Sequence, residues 1–193
     1  MDTRPVFSTK IFVIKAKRIQ KKKVQLAAAL SDCYNKIMIS TLRNETITIR
    51  ADTCGAELKS LFFGGREYLW QGGPAWGSSS PVLFPFAGRR KNFSYLCGGK
   101  TYPMPLNGFA KDMVFERIRA PESLAYTLTD SEKTHVQYPY RFRFDVCYTL
   151  ENGGIKAEFS LENRNDRPMP YMWGLHPGFR IEGFRRHSII SLY

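Results

Sequence analysis

The sequence predicts an antiparallel β-sandwich, and three observations carry that prediction. From Met38 onward the hydrophobic period is two, the signature of strands that bury one face. The alternating stretches are short and separated by Gly, Pro, Asn and Asp, which supply turns. Beyond residue 37 no stretch has the spacing of a long amphipathic helix, so helices packed on a sheet are not expected.

Residues 1–37 stand apart. They hold nine Lys and Arg against Asp2 and Asp32, whereas the remaining 156 residues hold twenty against fifteen acidic residues. Most of the +12 net charge is therefore local to this extension, and the rest of the chain is only mildly basic. That balance suits a neutral or anionic small molecule and does not by itself point to nucleic acid. Leu26, Leu30, Cys33 and Ile37 recur at helical spacing, so the extension reads as a basic helix or a solvated, poorly ordered arm. Sequence upstream of a start at Met38 is an equally open reading. Gln25 and Asp32 interrupt what would be the apolar stretch of a secretory signal.

After Met38, Ile47, Ile49 and Ala51 alternate with polar residues and predict a strand. Tyr95-Leu96 and Thr101-Tyr102 flank Gly98-Gly99 and predict a hairpin. Leu124, Tyr126 and Leu128 predict another strand. The clearest stretch is Tyr140 to Leu150, where every second residue is large and apolar. Asn152-Gly153 follows as a turn, and Ile155, Ala157, Phe159 and Leu161 alternate on the way back. The sequence predicts a long hairpin here.

The four cysteines (Cys33, Cys54, Cys97 and Cys147) are scattered and lack the spacing of a metal site or disulfide framework. Free thiols in a cytoplasmic setting are expected, with no metal and no organic cofactor. No apolar run approaches the roughly 18 residues of a spanning helix.

Three segments carry the chemistry. Pro81-Val82-Leu83-Phe84-Pro85-Phe86-Ala87-Gly88-Arg89 comes first. Pro105-Leu106-Asn107-Gly108-Phe109-Ala110-Lys111-Asp112 follows, and Tyr171-Met172-Trp173-Gly174-Leu175-His176-Pro177-Gly178-Phe179 is the third. In this order and spacing they resemble the aldose 1-epimerase (galactose mutarotase-like) family, especially its divergent bacterial branch. Gly55-Ala56-Glu57-Leu58, Glu67-Tyr68-Leu69-Trp70 and Trp76-Gly77-Ser78-Ser79-Ser80-Pro81 add to the likeness, as does the stretch from Asn163 to Pro170. The resemblance implies a galactose mutarotase-like sandwich over residues 38–180, an extension over 1–37 and a non-matching tail over 181–193.

The family reaction interconverts the α and β anomers of a sugar. A base takes the proton from the C1 hydroxyl, an acid protonates the ring oxygen, the ring opens, the C1–C2 bond turns and the ring recloses. By this resemblance His176 is the acid toward the ring oxygen, a role suited to a group with an unperturbed pKa of about 6.5. Arg89 is a substrate-binding arginine that can donate paired hydrogen bonds to hydroxyls or a phosphate. Asn107 stands where the family carries histidine; it can bind a hydroxyl but cannot carry a proton. Trp70, Trp76 and Trp173 suit either a sugar ring or core packing.

The family's general base is a glutamate beyond the matching segments, and Glu182 lies too close to His176 to fill that place. The sandwich is therefore expected to be incomplete at its C-terminal end. Two readings follow: an aldose 1-epimerase acting on a hexose or hexose phosphate, or a non-catalytic carbohydrate-binding remnant of that fold. The expected partner in both is a monosaccharide or sugar phosphate, and the sequence does not specify an oligomeric state.

Overall fold

The computed structural model describes residues 38–151 and 153–180. The predicted N-terminal helix, Asn152 of the long turn, and the tail 181–193 with Glu182 and His187 lie outside the described residues.

Twelve strands, one short α-helix and two three-residue 3-10 turns (Lys91–Phe93 and Ala110–Asp112) follow one another in the described residues. The first group comprises β1 (Ile39–Arg43), β2 (Ile47–Asp52), β3 (Leu58–Phe63) and β4 (Arg66–Glu67). Next come β5 (Val82–Leu83), β6 (Ser94–Cys97), β7 (Lys100–Pro103), β8 (Glu116–Ile118) and β9 (Ser123–Thr129). A four-residue helix, α1 (Glu132–His135), precedes β10 (Phe142–Glu151), β11 (Gly154–Asn163) and β12 (Gly174–Leu175). All strand ladders are antiparallel, as the alternation predicts.

Two four-stranded sheets, ordered β1-β2-β3-β4 and β11-β10-β9-β8, share one hydrophobic core. Ile47 and Ile49 of β2 turn inward toward the same core as Tyr126 of β9 and Phe142, Phe144, Val146 and Tyr148 of β10. Burying each such side chain contributes roughly 1.5–3 kcal/mol, more than any local propensity here. The Tyr126 hydroxyl crosses between the sheets and donates to Ala51 O at 3.1 Å.

The long hairpin has the predicted pairing. Val146 faces Phe159, Tyr148 faces Ala157, and Leu150 faces Ile155. The β6-β7 hairpin turns at Gly98-Gly99, both with positive φ. The helix α1 stands because Ser131 and Thr134 cap it reciprocally through side chain and backbone.

The β2-β3 ladder shifts register where Arg50 faces Ser60 and Ala51 faces Leu58, leaving Lys59 as a bulge in β3. After β2 the chain turns through Gly55 (φ 70°) and Ala56 (φ 47°) before entering β3. Gly55 is required there, since a Cβ would lie 2.8 Å from Lys111 O. The buried Tyr148 hydroxyl donates to Ala56 O at 2.9 Å and ties this turn to β10.

Candidate functional site

The three motif segments, far apart in sequence, meet on β5. On one side β12 pairs with it, Gly174 facing Leu83 and Leu175 facing Val82. The pairing extends at both ends: His176 N–H donates to Pro81 O at 3.1 Å and Met172 N–H donates to Pro85 O at 2.8 Å. Just past β5, Phe84 bridges to Gly108, and Phe84 O accepts from both Phe109 N and Ala110 N. Each segment is thus held by backbone bonds, which cannot drift with side-chain rotamers.

Beneath the junction sits an aromatic cluster. The Phe84 ring stacks on Phe144 at 4.7 Å and meets Phe109, Phe142 and Tyr138 edge-on. Tyr138 donates to Pro170 O at 2.7 Å, anchoring the approach to the third segment. Its phenol is pushed well above the ordinary range by burial, so it serves as a fixed donor.

Asn107 and the Gly88-Arg89 turn form one unit. Asn107 N–H donates to Gly88 O at 3.1 Å, and Asn107 Oδ1 accepts from Gly88 N–H at 2.8 Å. Asn107 adopts φ 65°, a left-handed conformation that Asn tolerates better than most residues. Its amide oxygen is therefore committed to the loop, and the Nδ2 group is what it has left to offer a ligand.

The two arginines after Gly88 differ. Arg89 is exposed, its guanidinium 4.9 Å from the centre of the Phe93 ring. Arg90 is half-buried over Phe86 at 4.5 Å and reaches the Met172 sulfur at 2.9 Å, which joins the first segment to the third. Its Nε is buried without a hydrogen-bond partner. The sequence reading missed Arg90, because adjacent arginines cannot be told apart without the turn that aims them.

His176 is exposed, with its ring 5.4 Å from that of Trp76. Gly178 sits close by. A Cβ there would lie 2.4 Å from the Trp76 ring and 3.2 Å from Trp70 Cβ, so the backbone passes directly against the Trp76 indole and the base of Trp70. Trp70 is tied in turn, its indole N–H donating to Trp76 O at 2.8 Å. Trp173 instead stacks on Phe159 at 4.8 Å and packs against the core.

The structure therefore joins Arg89 and Asn107 through Gly88 and places His176 at the other end of the β5 junction. Tyr171 and Met172 present exposed side chains on the segment between these ends. Among the described residues no group of three His, Cys, Asp or Glu is placed to hold a metal ion.

Known proteins share the fold and much of the sequence. A family described as aldose 1-epimerase matches residues 38–191. The plasmid and chromosomal LacX proteins of Lactococcus lactis subsp. lactis are 31% identical over 158 residues, 76% of this chain and 53% of theirs. The chain thus spans about half the length of the curated relatives it matches. A galactose mutarotase related enzyme from Lactobacillus acidophilus superposes with a TM-score of 0.74 at 37% identity, over 78% of this chain and 52% of its own. A galactose mutarotase-like protein from Lactobacillus casei superposes at 0.73 with 30% identity, over 77% and 52%. The sandwich, the motif order and the extent of the sequence match agree, and this chain belongs to the aldose 1-epimerase family.

Proposed function

We propose that this chain supplies the sugar-binding face and the acid of an aldose 1-epimerase acting on a hexose or hexose phosphate. The observation that carries this reading is the convergence of the three motif segments on β5 by backbone hydrogen bonds. In this reading His176, whose imidazole is exposed, protonates the ring oxygen. Arg89 donates to substrate hydroxyls or a phosphate, and Asn107 donates through Nδ2. A cytoplasmic setting is part of the proposal, supported by the free thiols of Cys54, Cys97 and Cys147. Family membership and the similarity to a mutarotase-related enzyme support the substrate class.

The test is α/β exchange of glucose, galactose and hexose 6-phosphates followed by magnetisation-transfer NMR. Exchange faster than buffer, abolished in His176→Ala, is the expected result. Buffer-rate exchange from folded protein would remove the catalytic reading.

A second reading, a binder without turnover, is favoured by one observation: the Asn107 amide oxygen is occupied by the Gly88 N–H. A residue so placed positions the loop and transfers no proton. Saturable sugar binding with no exchange is the signature of that reading.

A further inference from the structure

We infer that Glu57 is a positioning residue for His176, acting through the loop at residues 79–81. This deepens the proposed function, because its catalytic consequence rests on His176 being the acid.

The geometry forms a relay of backbone bonds. Glu57 Oε1 accepts the N–H groups of Ser79 and Ser80, the latter at 3.0 Å. The same loop then presents two carbonyls to the third motif segment. Ser79 O accepts from Gly178 N at 2.8 Å, and Pro81 O accepts from His176 N at 3.1 Å. One carboxylate oxygen thus aligns a loop whose carbonyls grip His176 on both sides of Pro177. Carboxylate-to-amide bonds are charge-assisted and stronger than neutral ones, so this is the stiffest contact available to the loop.

Glu57 is itself held from below. Its side chain is only 13% exposed, and Lys59 Nζ lies 3.2 Å from Oε2, leaving Oε1 to the loop. Asp52 N–H donates to Glu57 O at 2.9 Å, and the preceding Ala56 O is held by the buried Tyr148 hydroxyl. The path therefore runs from the core of β10 to the surface at His176.

The loop's own serine side chains add no hydrogen bond to it. Ser79 and Ser80 are fully buried, yet neither hydroxyl has a hydrogen-bond partner. The side-chain contact that fixes the Ser79 and Ser80 amides is therefore the Glu57 carboxylate. Trp76, at the start of this stretch, completes the frame by packing on the His176 ring.

The test is residue-resolved amide hydrogen exchange on the full chain, comparing the parent with Glu57→Ala and Glu57→Gln. Glu57→Ala is expected to speed exchange at the His176 and Gly178 amides about tenfold or more, with Tyr126 and Val146 unchanged. The His176 ring protons should shift as the Trp76 contact loosens. Glu57→Gln keeps an acceptor oxygen and is expected to restore both protection and ring shifts. Unchanged protection of His176 and Gly178 in Glu57→Ala would overturn the inference. So would a uniform acceleration across β9, β10 and β11, which would mark a purely global effect. Should Glu57→Ala fail to fold, Glu57→Asp, which keeps the charge but shortens the reach to Ser79 and Ser80, decides: selective loss at His176 and Gly178 supports the relay, and unchanged protection there sinks it. Sugar is absent from this experiment. A chain showing the predicted exchange pattern but no anomer turnover would remove the catalytic reading of this chain and leave the relay standing.

Discussion

At the scale of single residues, two glycines of the site separate conformation from space. Gly88 and Gly108 both have positive φ, 79° and 74°. A Cβ on Gly88 would meet nothing within 4 Å, whereas one on Gly108 would lie 2.2 Å from Phe84 O. Gly88→Ala should therefore cost about 1 kcal/mol, the strain of the left-handed backbone alone. Gly108→Ala must also push apart the junction with Phe84 and should cost about 3 kcal/mol or more, read from urea midpoints. Equal costs would show that the junction yields easily. Asn107 allows a gain-of-function test, since histidine also tolerates positive φ. If the position once carried proton transfer, Asn107→His should raise anomer exchange by up to about 10²–10⁴-fold. No increase in a folded variant would assign the position to loop geometry alone.

Legibility at this scale was uneven. His176, Arg89 and Asn107 were readable as candidates because their motifs are local in sequence. The roles of Glu57 and Arg90 were not, because each depends on a partner in another segment: the loop at residues 79–81 for one and Met172 for the other.

At the scale of elements, β10 shows why alternation is informative. Phe142, Phe144, Val146 and Tyr148 are buried while Arg143, Asp145 and Cys147 between them are only half-buried. Neighbours on both sides, β9 and β11, fix its register. A one-residue slip would turn four large apolar side chains outward, so the register is strongly specified. Phe144→Ala should cost about 3–5 kcal/mol, while Arg143→Ala, which loses one partly exposed ion pair with Asp145, should cost under about 1 kcal/mol. Thermal melts of both variants check the contrast; similar losses would mean that the core is loosely packed.

Long alternating strands such as β10 could be read directly. The two-residue strands β5 and β12 could not. They are too short to show a period, and Pro81 and Pro85 around β5 read locally as loop. Only pairing across the fold makes them strands, and it is this pairing that builds the site.

At the scale of the whole molecule, buried phenols set an alkaline limit on stability. Burial pushes Tyr95, Tyr126, Tyr138 and Tyr148 upward, and a hydrogen bond with Cys97 followed by burial does the same for Tyr140. An unfolded tyrosine ionises near pH 10, so the folded chain binds more protons above that pH. Stability should hold below about pH 10 and fall as pH rises toward the folded values. The slope should exceed that of one proton in chemical denaturation between pH 8 and 11.5. Tyr138→Phe should flatten it and cost about 1–2 kcal/mol at pH 7, because Pro170 O loses its donor. A pH-independent midpoint over that range would contradict the burial of these groups.

The β5 junction also has a kinetic meaning. Leu83 pairs with Gly174 across roughly ninety residues of chain, whereas β10 and β11 pair across a tight turn. Closing the longer loop carries the larger entropic cost and is rewarded only after the sheets are in place. The hairpins therefore form early, and the β5 junction with its candidate site is assembled among the last events of folding.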